Sequence, residues 1–138
     1  MNAARPMAIH PVHAVLLAGT FTLFVGALLS DWAYWSTYHV QWNNFASWLI
    51  AAGLLLGGIA LAFALVGLRH RARRSGLSLL YFLVLLATWL VGLFNAVIHA
   101  KDAYAVMPEG LVLSVIAAVL AGVATWIGFA RPRTRDLS

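Results

Sequence analysis

The residues able to hold a ligand or move a proton are few and widely spaced: His10, His13, His39, His70 and His99, with Asp31, Asp102 and Glu109. Neutral imidazole is the usual protein ligand for haem iron and many metals. His10 and His13 stand three apart in His10-Pro11-x-His13, so both could share one face at the start of a helix. Two side chains one turn apart cannot be axial to the same iron, which is approached from opposite sides. His13 could instead meet His70, although His70 sits in a basic loop and reads as solvent-facing. His39 could meet His99, and this second pair is the candidate for haem b or a quinone. His13 and His99 lie at opposite depths and cannot meet.

A second pattern runs through Thr88, Gly92, Asn95 and His99, at offsets 0, 4, 7 and 11. That spacing puts them on one helical face. An amide turned toward lipid is costly, so the face should look into a bundle. Asp31 follows His13 by eighteen residues, which is five helical turns and about 27 Å along the axis. If the helix holds through Asp31, its carboxylate can reach Asn95 or His99. A polar cluster of Asp31, Asn95 and His99 is therefore expected near one membrane surface. Its plainer reading is a contact that fixes helix register; the sharper one is a ligand or proton site.

The elements that must position these groups are set by hydropathy. Of 138 residues, 63% are hydrophobic and 9% charged, against about 25% charged in a typical soluble domain. A small domain has too little interior to hide that apolar surface. The mean hydropathy is +0.89 and the pI about 10.5; the basic residues are scattered between apolar stretches and build no nucleic-acid groove. The chain has no cysteine, which removes thiolate catalysis and cysteine-bound metals. It shows no phosphate loop, HExxH, GxSxG or calcium-loop pattern, and no nucleophile beside an oriented base. A helix needs about 20 apolar residues to cross hydrocarbon. Four stretches qualify, at about 12–30, 45–68, 77–98 and 110–130, which predicts an all-α, polytopic four-transmembrane-helix bundle in one domain. The first span is longer than a signal-peptide core and is expected to be retained.

Orientation follows from arginine. Arg5, Arg69, Arg71, Arg73, Arg74, Arg131, Arg133 and Arg135 fall on one side, while only Lys101 falls on the other with Asp31, Asp102 and Glu109. The positive-inside rule puts both termini in the cytoplasm, as expected for a multi-pass protein of the bacterial inner membrane. Gly76 closes the basic loop, Pro108 and Gly110 open the fourth helix, and Pro132 ends it. The outer connection from Asp31 to Phe45 carries Trp32, Tyr34, Trp35, Tyr38 and Trp42. Aromatic rings with polar edges favour the headgroup zone, so a segment lying on the outer surface is expected, in contact with lipid. Gly53 and Gly57 in span two, Gly92 in span three, and Ala118 and Gly122 in span four predict close helix packing.

Several of these stretches resemble a bacterial membrane family known as domain of unknown function 2231. They are His10-Pro11-x-His13, Asp31, Leu93-Phe94-Asn95-Ala96-Val97-Ile98-His99-Ala100, Lys101-Asp102-Ala103-Tyr104 and Met107-Pro108-Glu109-Gly110-Leu111-Val112-Leu113-Ser114. The likeness covers most of residues 9–128 and implies the fold, with His10, His13, Asp31, Asn95, His99 and Asp102 as the positions to watch. Some relatives are joined to Rieske-type iron–sulfur domains, which implies a membrane redox setting; any such centre would come from a partner. After Trp126 the chain departs from the family pattern and runs directly to Arg131.

The leading expectation is a small non-enzymatic structural or accessory subunit, binding no cofactor of its own. Its partners would be membrane lipids and other membrane or redox proteins, not nucleic acid, in an oligomeric state that residues alone do not specify. The competing expectation is a redox subunit holding haem b or quinone through His99 and His39. A third is a small permease or proton-conducting element centred on Asp31 and Asn95.

Overall fold

The computed structural model describes residues 10–69 and 76–130. Its helices are α1 (Pro11–Thr37), α2 (Val40–Arg69), α3 (Gly76–His99) and α4 (Glu109–Ala130), with a 3-10 turn at Ala103–Ala105 between α3 and α4. Each of the four is long and apolar enough to cross a membrane. No strand occurs among the described residues. Most of the expected arginine ends, Arg5, Arg71, Arg73, Arg74, Arg131, Arg133 and Arg135, lie outside the described residues, as do His70 and Pro132.

The first two spans are longer than hydropathy predicts. α1 continues past Asp31 to Thr37, and α2 begins at Val40, five residues before the apolar run. The expected surface-lying segment is therefore the joined upper turns of two upright helices, with only Tyr38 and His39 between them. Asp31, Asn43 and Asn44 end a hydropathy window without ending a helix, because Asp31 and Asn43 turn inward and are buried. Tyr38 stops α1 by adopting a left-handed conformation (φ 55°) while its N–H caps Tyr34 O. At the other end, Pro11 occupies the first turn, where its missing N–H has no partner to lose. His10 caps that end, its Nδ1 accepting from Val12 N at 3.2 Å.

The helices form an antiparallel ring in which α1 packs on α2 and α4, and α3 packs on α2 and α4. The buried seam of α3 is Ser78, Tyr81, Leu85, Thr88, Gly92, Asn95 and His99. That of α2 is Asn43, Ala46, Ile50, Gly53, Gly57, Ala60 and Ala64. Steps of three and four alternate in both, a 3.5-residue repeat that keeps one stripe facing inward under left-handed supercoiling. α1 repeats the pattern from His13 through Leu17, Thr20, Phe24, Ala27 and Asp31 to Tyr34.

The seam mixes small and polar residues with a few large ones such as Leu17, Phe24, Ile50, Tyr81 and Leu85, whereas most large apolar side chains, among them Leu55, Phe63, Leu83, Phe94, Val119 and Trp126, point outward. This inverts the soluble pattern and suits lipid, where association depends on close packing and interhelical hydrogen bonds. Glycines act as notches. A Cβ on Gly53 would stand 2.5 Å from the Phe24 ring, one on Gly92 2.8 Å from the same ring, and one on Gly128 2.5 Å from Leu17. Gly57 faces Thr20 and Gly122 faces Phe21, while Ala118 is buried. The small residues singled out in the sequence thus face neighbouring helices of the same bundle.

Candidate functional site

The seam residues place a polar layer near each end of the bundle. At the end near the α3–α4 connection, α1 supplies Asp31, α3 supplies Asn95 and His99, and α4 supplies Ser114. All four are buried, Asp31 completely. His99 Nε2 lies 2.7 Å from Asp31 Oδ1, and Ser114 donates to Asp31 Oδ2. Asn95 Nδ2 donates to Ser114 Oγ at 2.8 Å, and His99 Nδ1 lies 2.8 Å from the Asn95 main-chain oxygen. The hydrogen bonds therefore close into a ring that leaves the Asn95 side chain and returns to the Asn95 backbone.

Chemistry assigns most of the protons. A carbonyl oxygen only accepts, so His99 Nδ1 carries a hydrogen and donates it to Asn95 O. The Nε2–Oδ1 contact then holds one further proton, which makes either an imidazolium–carboxylate pair or a neutral imidazole and carboxylic acid. Both arrangements are neutral overall, which is what a buried site in low dielectric requires. Asn95 Oδ1 stands outside the ring, buried with no hydrogen-bond donor among the described residues, and so does Asn43 Oδ1 on α2.

The site lies under the connection between α3 and α4. Val106 is fully buried, and a Cβ on Gly110 would stand 2.6 Å from Val106 Cγ1 and 2.9 Å from His99 Cε1. Connection, imidazole and first turn of α4 are thus in direct contact. The buried Tyr34 hydroxyl donates to Ala103 O at 2.8 Å and fastens the 3-10 turn to α1. Asp102 is exposed, and its Oδ1 accepts from Tyr104 N at 3.3 Å, starting that turn. Its place is in the cover, apart from the ring.

The other sequence candidates are dispersed. His39 is exposed in the α1–α2 turn, where its N–H donates to Thr37 Oγ1 at 3.3 Å, while both nitrogens of His99 are engaged elsewhere. His10 is an exposed cap, whereas His13 is buried with its Nε2 2.6 Å from the Tyr81 hydroxyl. His10 and His13 therefore do not present one shared face. No group of three or more His, Cys, Asp or Glu side chains gathers among the described residues. Between the end layers, Thr20 and Thr88 turn their hydroxyls back to Leu16 O and Val84 O on their own helices.

Ser114 is the member that sequence reasoning named only within the family-like stretch from Met107 and did not expect in the cluster. Serine, histidine and aspartate now meet, but in an order that does not activate a nucleophile. Ser114 bonds to the carboxylate, and the imidazole bonds to the other carboxylate oxygen. In a Ser-His-Asp triad the serine bonds the imidazole, which is its base.

Comparison with curated proteins and with solved structures returned no match. A family model described as "Predicted membrane protein (DUF2231)" matches residues 9–131, nearly the whole chain, and the protein belongs to that family.

Proposed function

We propose that this protein is a non-enzymatic structural or accessory subunit of the bacterial inner membrane, with both termini in the cytoplasm. In this reading the ring of Asp31, His99, Asn95 and Ser114 locks three helices in register. The observation that carries it is the closure of that ring. Both carboxylate oxygens and both imidazole nitrogens are already matched within the protein. Haem ligation by His99 would first have to take Nε2 away from Asp31, stranding a buried carboxylate. A proton path would have to cross a middle section of buried Leu17, Phe24 and Leu85, where the hydroxyls of Thr20 and Thr88 are turned back to their own helices.

The test removes one partner. Taking away one member of a buried pair leaves the other uncompensated, at about 1–3 kcal/mol when the pair is neutral and about 3–5 kcal/mol when it is ionic. His99→Ala should therefore lower the midpoint of thermal unfolding in detergent by on the order of 10 °C, and Asn95→Leu should also lower it. Unchanged midpoints in both would remove the lock. Protein expressed with ample haem should show no Soret band that is lost in His99→Ala; such a band would move the assignment to a redox subunit.

A further inference from the structure

We infer that the connection Ala100–Pro108 is a strap that gates access of outer water to the Asp31–His99 pair, with Tyr34 as its latch. This rests on the ring described above and adds a moving part to it. The strap is thin. Lys101, Asp102, Tyr104 and Ala105 face outward, and Tyr104 is 78% exposed. Only Val106 is driven fully inward, against Gly110 and so beside the His99 ring. One aliphatic side chain therefore does most of the sealing of a polar site from the aqueous side.

One side-chain hydrogen bond, from Tyr34 to Ala103 O, ties the strap to α1. The backbone bonds from Ala105 N to Asp102 O and from Val106 N to Ala103 O lie within the strap and can travel with it. Its ends are hinged to the helices, by Lys101 N to Ile98 O on α3 and by Gly110 N to Val106 O at 2.7 Å on α4. The closed arrangement also leaves two buried acceptors without a donor among the described residues, Asn95 Oδ1 beside the ring and Asn43 Oδ1 on α2. The antiparallel contacts of Gly53 with Phe24 and Gly57 with Thr20 set the register of α1 against α2, and that register puts Asn43 level with Tyr34. Buried polar atoms without partners favour the entry of water. Lifting Val106 about these end hinges would admit it beside the imidazole–carboxylate pair, and between the hinges the strap is held down by the Val106 side chain and the Tyr34 latch.

The experiment follows histidine acylation by diethyl pyrocarbonate in the full chain held in lipid nanodiscs, read site by site by mass spectrometry. Exposed His39 is the reference and buried His13, at the opposite end, reports the fold. His99 should react more slowly than His39 in the native protein. Tyr34→Phe, which removes only the latch hydroxyl, should raise the His99 rate at least tenfold with His13 and His39 unchanged. Val106→Ala should do the same by thinning the seal. No acceleration at His99 in either variant would overturn the strap. Equal acceleration at His13 would overturn it too, because the bundle would then be loosening as a whole. The stability test on Asn95→Leu addresses the lock and can fail without affecting this result.

Discussion

Gly110 shows how tightly the residues around His99 are set. The imidazole is held at both nitrogens and Val106 is fully buried, so neither can retreat from a methyl group placed 2.6–2.9 Å away. Gly110→Ala should cost about 1–3 kcal/mol, the usual penalty for overpacking. Gly67 is the control, because a Cβ there meets nothing within 4 Å. Gly67→Ala should be neutral or stabilise by up to about 1 kcal/mol through helix propensity. Thermal unfolding of the two variants side by side separates them, and equal midpoints would contradict the close contact at Gly110. The site was partly legible at this scale. Asp31, Asn95 and His99 stand out because strong polar groups are rare inside apolar spans, and their offsets put them on inward faces. Ser114 carries no such signal, since a serine in a helix commonly bonds its own preceding turn, as Thr20 and Thr88 do here. The usable clue was symmetry: Asn95 precedes His99 by four residues and Ser114 follows Gly110 by four, which in an antiparallel hairpin sets them side by side.

At the scale of elements, α2 and α3 are joined by a bond that hydropathy cannot show. The Trp89 indole N–H donates to Leu54 O at 3.0 Å. It reaches that backbone because Gly57 and Gly58 leave the groove open, with a Cβ on Gly58 falling 3.3 Å from the indole nitrogen. Trp89→Phe removes the donor together with part of the indole's bulk, so it should cost about 0.5–1.5 kcal/mol for the hydrogen bond and more for the space left behind. Gly58→Ala should add little to Trp89→Phe while destabilising the native protein. A double-mutant cycle measured by thermal unfolding reads this coupling, and strict additivity would show that indole and groove do not act together. The existence and order of the four helices were readable from length and polarity. The ends of α1 and α2 were not, because inward-facing Asp31 and Asn43 interrupt hydropathy while leaving the helix intact. The seam was equally hidden: in lipid the inside is marked by Ala, Gly, Ser and Thr, so a search for apolar stripes finds the outside.

For the whole molecule, the ring, its strap and the aromatic turns of α1 and α2 cluster at one end, and Arg69 stands at the other. α2 alone has 30 residues, about 45 Å of helix against a hydrocarbon core of about 30 Å. That length exceeds what a crossing needs, and the first turns of α2 carry exposed Trp42 and Phe45, rings suited to the headgroup zone. The proposed orientation puts Arg69 on the cytoplasmic side, where basic segments are retained during insertion. The absence of cysteine from the chain allows this to be tested with single labels on an otherwise silent background. Tyr104 and Arg69 are both exposed and lie at opposite ends. In intact spheroplasts a membrane-impermeant maleimide should label Tyr104→Cys at once and Arg69→Cys only after permeabilisation. The reverse pattern would put the strap in the cytoplasm, and the Asp31–His99 pair would then open to the cytoplasmic pool of water and protons.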